Sequence, residues 1–165
     1  MKKKFITLST TLLLSISSLY AGNILDTKVP TKHNKNLTLQ EIAEIQPALG
    51  AVMMEFGHRF YVSYYAAKAG NWDLANYEIE ELIEAQEVAE ATRPKYKKQL
   101  KEFETNSLKK LQASIKNQNW NSFKASYKET TKACNSCHIE NGHPYIVYEL
   151  PKEAPKFLKM SLKDI

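Results

Sequence analysis

Residues 119–138 read NWNSFKASYKETTKACNSCH. An asparagine in the first position is a good helix start, because its side chain can accept a hydrogen bond from a backbone N–H of the first turn. Beyond Trp120, one series of residues recurs every three or four positions, which is the spacing of a single helix face. The series comprises Phe123, Tyr127, Thr130, Cys134 and Cys137. We therefore predict a helix beginning at Trp120 that carries both cysteines on its core-facing side.

The end of this helix carries the pattern CxxCH, formed by Cys134, Cys137 and His138. This pattern is typical of c-type haem attachment. Thiols three residues apart project from one helix face and can add to the two vinyl groups of one porphyrin, while the next imidazole coordinates the iron. We predict one covalent haem c, with Cys134 and Cys137 as its thioether residues and His138 as the proximal axial ligand.

A zinc site and a redox dithiol are the alternative interpretations of the CxxC pattern, and each requires sequence features that the chain lacks. A closed zinc site needs four ligands, and with two cysteines in the whole chain it would have to recruit His138 and His143 at an unfamiliar spacing. A redox dithiol usually begins a helix that follows a strand, and no strand pattern precedes Cys134. Both alternatives rank below haem attachment.

Residues 1–21 have the features of a secretory signal peptide. Lysines at residues 2–4 precede the uncharged segment 5–19, and Ala21 is a small residue before Gly22. An uncleaved membrane anchor is the alternative, but the segment is rich in Ser and Thr and short for a bilayer span. We expect cleavage after Ala21, a periplasmic mature protein and no stable membrane insertion of the mature chain.

The predicted leader also holds much of the chain's positive charge. The full chain has 23 basic and 18 acidic side chains and a formal net charge of +5. Removal of the three leader lysines leaves 20 basic against 18 acidic side chains, a charge of +2, so nucleic-acid binding is not implied. The remaining chain suits one domain. We assign it to residues 37–165, after an N-terminal extension at residues 22–36 and with a C-terminal tail from about residue 143.

Apolar residues beyond Leu37 recur at threes and fours, which predicts an all-α domain. Short connections between four amphipathic segments favour an antiparallel four-helix bundle with the haem near the end of the fourth helix. We predict helices from Leu39 to about Ala69 with a kink at Pro47, from Trp72 to about Thr92, from about Lys95 to Asn117, and from Trp120 onward. The predicted core-facing residues are Ile42, Ile45, Leu49, Val52, Met53, Phe56 and Phe60 in the first helix, Trp72, Ala75, Ile79, Leu82, Gln86 and Ala89 in the second, and Tyr96, Leu100, Phe103, Ser107, Leu111 and Ile115 in the third.

A four-helix chain with CxxCH on its last helix resembles the class II cytochromes c, which are the cytochrome c′ family and its low-spin relatives. The resemblance covers about Leu37 to Gly142, and residues 134–138 are its specific element. It implies the haem roles of Cys134, Cys137 and His138 stated above. It also implies that the first helix supplies the residue facing the other side of the iron, which is apolar in high-spin members and methionine in low-spin members.

Two adjacent methionines lie in the relevant part of the first helix. At about 100° per residue, Met53 lies within about 40° of Leu49 on the core-facing stripe, and Met54 is turned about 140° away. Met53 is therefore the candidate distal axial ligand, with ordinary core packing as the alternative. His58 points away from this stripe, and we expect it on the surface.

The tail departs from the class II pattern, because it extends well beyond the motif. Tyr145, Ile146, Val147, Tyr148 and Leu150 are apolar enough to fold over a haem edge, and they could equally form a partner-binding arm. The prolines at 151 and 155 disfavour a regular helix between them. The sequence does not choose between lid and arm.

An iron held by histidine and methionine keeps its ligands in both oxidation states, which favours electron transfer. The resemblance thus implies a periplasmic monohaem one-electron carrier between redox proteins, and not an enzyme. The alternative is a five-coordinate haem that binds NO or CO as a scavenger or sensor. A peroxidase-like activity ranks last, because the core-facing side of the first helix offers no acid or base. Class II relatives often form homodimers, so a homodimer is one possible assembly.

Overall fold

The computed structural model describes residues 23–32 and 35–161 of the 165-residue chain. The predicted signal peptide, residues 1–21, lies outside the described residues, as do residues 162–165 at the end of the tail. The described chain is mostly helical and includes one small sheet, which agrees with the predicted helical class. In this part of the chain, no helix combines the length and the apolar character that crossing a bilayer would require.

Contacts along the chain divide it into two compact units, with the boundary between Gln46 and Pro47. In the first unit, strands β1 (Lys28–Pro30) and β2 (Asn36–Thr38) pair in antiparallel fashion. Helix α1 (Leu39–Glu44) follows at once. It begins with a capping box, in which the Thr38 hydroxyl accepts from the Glu41 N–H and the Glu41 carboxylate accepts from the Thr38 N–H. The helical periodicity did not predict this ribbon, whose strands are only three residues long.

The prediction of one helix from Leu39 to Ala69 is wrong. The first helix ends at Glu44, and α2 (Leu49–Lys68) begins after Ala48. Pro47 explains the break, because it has no N–H to donate and it forces the preceding residue out of the helical region. Ile45 consequently lies in the break and is 70% exposed, so its predicted core position is also wrong.

The predicted end of the helix before Gly70 and the predicted starts at Trp72 and Trp120 are confirmed. Helix α2 ends at a left-handed Gly70, whose φ is 79°. Helices α3 (Trp72–Thr92) and α6 (Trp120–Glu140) each begin after an asparagine whose side chain accepts a backbone N–H, at 3.1 Å for Asn71 and 2.9 Å for Asn119. These caps satisfy donors that the first turn would otherwise leave unpaired.

The third predicted helix is helical throughout but not uniformly α. It comprises α4 (Lys97–Phe103), a π-helical turn (Glu104–Leu108) and α5 (Lys109–Lys116). A π turn holds an extra residue and so rotates the face that follows it. Leu108 is fully buried for this reason, whereas Ser107, the predicted core residue, is only half-buried.

The core of the second unit is shared among its helices. Helix α2 packs along α3, and α6 packs against α5 and α2. The largest cluster contains Phe60 of α2, Ile79 and Leu82 of α3, Leu111 and Ile115 of α5, and Phe123 and Tyr127 of α6. A smaller cluster contains Val52, Ala89 and Leu100. Each fully buried side chain of this size stabilises the fold by about 1.5–3 kcal/mol, so α6 is held firmly as far as its last turns.

Candidate functional site

The last two turns of α6 carry the two cysteines of the predicted haem motif. Both side chains are partly buried, and neither forms a disulfide. Cys134 packs against the large core cluster, as the helical spacing predicted. One turn later, the Cys137 sulfur lies 3.5 Å from Nδ2 of Asn141. The two thiols are thus held on one side of a well-packed helix.

The electrostatics of this position favour the protonated thiols. Burial raises the pKa of the Cys134 thiol to about 12, and nearby Cys137 acts in the same direction. Burial also raises the pKa of Cys137, with Glu140 adding to the effect and the Asn141 amide opposing it. The C-terminal end of a helix disfavours negative charge as well. Redox dithiols need lowered pKa values, so this site is poorly suited to thiolate chemistry.

His138 is oriented by a backbone carbonyl of the tail. Its Nδ1 lies 2.8 Å from the Ile146 carbonyl oxygen, eight residues later in the chain. A carbonyl oxygen can only accept, so Nδ1 carries the proton and donates it. In the neutral imidazole with its proton on Nδ1, the lone pair is on Nε2, and this is the arrangement that metal-binding histidines commonly have.

The described tail folds back on the helices, up to Ser161. Asn135, which lies between the cysteines, accepts from the Tyr148 N–H at 2.8 Å and donates to the Tyr148 carbonyl at 3.2 Å. Tyr65 and Tyr61 of α2 donate to the carbonyls of Pro151 and Glu153, at 2.7 and 2.6 Å. The sequence had left open whether the tail covers the domain or projects from it. Between residues 146 and 153, the tail is hydrogen-bonded to α6 and α2.

Tyr148 joins the tail to the core. Its ring lies 5.2 Å from that of Phe60, and Phe60 in turn stacks on Tyr127 at 3.9 Å. The Tyr148 and Tyr127 hydroxyls are 2.7 Å apart, so they form a hydrogen bond. Burial raises the pKa of both phenols, that of Tyr148 to about 12. The two hydroxyls are therefore neutral partners at ordinary pH.

Asn135 and Tyr127 were not predicted to be parts of the site, and Tyr148 was named only among the tail residues that could fold over a haem edge. Each had a plain local interpretation, as a spacer within the motif, a core aromatic or an apolar tail residue. An asparagine inside CxxC carries both a donor and an acceptor, so it is able to bond to the N–H and the carbonyl of one backbone residue. Nothing in the sequence shows which backbone segment that partner is.

The structure separates the two methionines as helical geometry predicted. Met53 is half-buried and packs against the smaller cluster, next to Val52 and Leu100, whereas Met54 is 76% exposed. Cys134 packs against the larger cluster. Coordination of iron by Met53 stays a prediction.

A hydrogen-bonded glutamine connects the motif to the cluster that contains Met53. Gln99 donates to the Glu140 carboxylate and accepts from the Asn141 amide, both at 2.8 Å. The next residue, Leu100, is a buried member of the smaller cluster. The end of α6 and the beginning of α4 are therefore neighbours.

The remaining histidines were not predicted to bind the iron. His58 is exposed, as predicted, and its ring stacks at 5.2 Å on that of Phe157. His143 lies within reach of the Tyr145 hydroxyl, at 3.0 Å from its Nδ1. His33 lies outside the described residues.

The donor set at the end of α6 fits a haem c. Over residues 23–32 and 35–161, no three His, Cys, Asp or Glu side chains gather as a metal-binding group. A haem iron takes four ligands from its porphyrin and needs only one or two from the protein. Two thiols on one helix face and an imidazole with a free Nε2 meet that need.

Comparisons of the chain with protein-family models, with curated proteins and with solved structures find no match.

Proposed function

We propose that this protein is a periplasmic monohaem c-type cytochrome, related to the class II cytochromes c, that carries single electrons between redox proteins. In this proposal α2, α3, the α4–α5 segment and α6 form an antiparallel four-helix bundle around the haem. The observation that carries the proposal is the arrangement of Cys134, Cys137 and His138 at the end of the last helix, with His138 Nδ1 bonded to a carbonyl. Short connections between these helices support the bundle.

Cys134 and Cys137 would hold the haem through thioethers, and His138 would bind its iron through Nε2. Thioether formation adds each S–H across one vinyl double bond, so it needs both cysteines reduced and consumes no oxidant. Both cysteines are free thiols. When bound, the haem supplies a one-electron couple at its iron.

The protein's part in electron transfer is to keep the iron ligands in place. The core cluster restrains α6 at Cys134, and the Ile146 carbonyl restrains the His138 ring. Met53, on the buried side of α2, is the proposed second axial ligand. An iron held by both His138 and Met53 would exchange electrons without rearranging its ligands, and this is our reason for proposing a carrier over a gas-binding protein.

Haem attachment is tested by producing the full chain in a bacterial host that attaches haem c, with Cys134→Ser and Cys137→Ser variants. We expect the wild-type chain to retain haem after denaturation and acid extraction, and each serine variant to retain less or none. Ser136→Ala is the matched control, because residue 136 is exposed and lies inside the same motif. Wild-type protein without covalent haem would refute the proposal.

The axial ligand is tested by optical spectra of the oxidised and reduced protein, with and without carbon monoxide. We expect a low-spin spectrum that carbon monoxide does not change, and its loss in Met53→Ala. Met54→Ala is the matched control, because this neighbour is exposed. A high-spin wild-type spectrum that responds promptly to carbon monoxide would instead favour the NO- or CO-binding function.

A further inference from the structure

We propose that residues 143–148, here called the strap, position the His138 imidazole, and that Asn135 is the positioning residue that holds the strap. This inference rests on the proposed haem function and deepens it. It assigns a role to a segment that lies beyond the CxxCH motif and to a side chain that the motif leaves unspecified.

The strap is built to bring one carbonyl to the imidazole. Gly142 adopts a φ of 81°, which ends α6 and reverses the chain. The His143 N–H donates to the His138 carbonyl at 2.8 Å, and the Ile146 N–H donates to the His143 carbonyl at 3.0 Å. These two bonds form a tight turn whose last carbonyl, that of Ile146, accepts from His138 Nδ1.

Asn135 fastens the far end of the strap to the motif. Its amide bonds to both backbone groups of Tyr148, in the manner of a neighbouring β-strand. Asparagine can do this because one side-chain amide offers a donor and an acceptor. Asn135 lies three positions before His138, so the fastening and the imidazole lie on adjacent turns of α6. Displacement of the strap at Tyr148 would therefore move the Ile146 carbonyl relative to the ring.

The strap would change how strongly His138 donates to the iron of a bound haem. A hydrogen bond from Nδ1 to a carbonyl fixes the tautomer and the ring plane, and it makes Nε2 a stronger donor to the iron. A stronger donor stabilises the oxidised iron and lowers the reduction potential. Loosening the strap should raise the potential and should free the Nδ1 proton to exchange with water.

The test compares the purified full chain with Asn135→Ala and with the control Ser136→Ala. The readouts are the reduction potential and the exchange rate of the His138 Nδ1 proton, followed by NMR with ¹⁵N-labelled histidine. For Asn135→Ala we expect an upward shift of the potential and an exchange rate about thirtyfold higher, the factor that corresponds to loss of the two net hydrogen bonds between Asn135 and Tyr148. Ser136→Ala should match the wild type in both readouts.

A second variant serves in case Asn135→Ala does not fold. Pro144→Gly changes an exposed residue within the turn and leaves every strap hydrogen bond available, but it makes the turn less rigid. We expect smaller changes in the same directions. If folded Asn135→Ala and Pro144→Gly both keep the wild-type potential and exchange rate, the strap does not position His138 and the inference is wrong.

The two proposals fail in different ways. Absence of covalent haem would refute the proposed function, and the ¹⁵N shifts of His138 would still report its tautomer. A wild-type Nδ1–H form that is lost in Asn135→Ala but kept in Ser136→Ala would support the strap without any haem. Covalent haem combined with an imidazole that ignores both strap variants would leave the proposed function standing and refute the strap.

Discussion

The hydrogen bond between the Tyr127 and Tyr148 hydroxyls offers a direct test of how the tail is held. Tyr127 is 3% exposed, and its hydroxyl lies 2.7 Å from that of Tyr148. Tyr148→Phe leaves the buried Tyr127 hydroxyl without this partner, at a cost of about 1–3 kcal/mol. Tyr127→Phe instead leaves the Tyr148 hydroxyl without its partner. Tyr148 is half-buried and its hydroxyl can bind water, so this variant should lower the free energy of unfolding by less, about 0.5–1.5 kcal/mol.

The double variant separates the hydrogen bond from the packing of the rings. Replacing both tyrosines by phenylalanine removes both polar groups and keeps the ring contacts with Phe60. The double variant should therefore lose less free energy of unfolding than the two single variants lose in sum, by about 1–2 kcal/mol. Urea unfolding at neutral pH, followed by far-UV circular dichroism, gives each free energy of unfolding. Strictly additive losses would show that the two hydroxyls are not coupled and that the tail is not held in this way.

The same variants predict a pH dependence. Burial raises the pKa of Tyr148 to about 12 and also raises that of Tyr127, above an unfolded value of about 10. A raised folded pKa contributes stability that is fully present below the unfolded pKa and is lost as the pH rises through the folded pKa. Between about pH 10 and 12, the wild type should therefore lose more stability than the double phenylalanine variant. Equal losses would contradict the burial of these phenols.

Three further variants test the packing that supports the site. Arg59→Met leaves the buried Glu78 carboxylate without the guanidinium that lies 3.1 Å away, so we expect a loss of about 3 kcal/mol at neutral pH. Burial already raises the pKa of Glu78, so this loss should shrink as the pH falls and the carboxyl protonates, and a loss independent of pH would count against the pair. Asn119→Ala removes the cap of α6 and should lower the free energy of unfolding by about 1 kcal/mol, against less than about 0.5 kcal/mol for the exposed control Asn121→Ala. Leu82→Ala in the fully buried core should cost about 3–5 kcal/mol, and a loss below about 1 kcal/mol would mean that the site is not closely packed.

Much of the helical organisation was predictable because its signals are local. Helices α3 and α6 each begin at a tryptophan that follows a capping asparagine, and both asparagine side chains accept N–H groups of the first turn. The buried face of α3 follows the apolar spacing, as does the division between Met53 and Met54. A cap, a helical period and a left-handed glycine each depend on a few neighbouring residues, so a single sequence reveals them.

The missed features depend on competition between local preferences. The apolar period continued through Ile45, but the backbone restriction at Pro47 outweighed it and split the predicted first helix. The same period favoured Ser107 in the third helix, whereas the π turn brought Leu108 into the core. A prediction from periodicity assumes a constant number of residues per turn, so it does not predict a π turn, which contains one extra residue.

The sequence by itself determined the helical class, the motif of Cys134, Cys137 and His138, and the chemistry that those side chains can perform. Only the tertiary structure decided what lies next to them. Every residue has a carbonyl, so no pattern in the sequence could single out that of Ile146 as the acceptor for His138. The Ile146 carbonyl reaches His138 because the chain reverses after Gly142. Side chains of α6 and α2, which are distant in sequence, then hydrogen-bond to the tail. Such contacts cannot be inferred from neighbouring residues alone, because the entropy of ordering the tail must be offset by many contacts together.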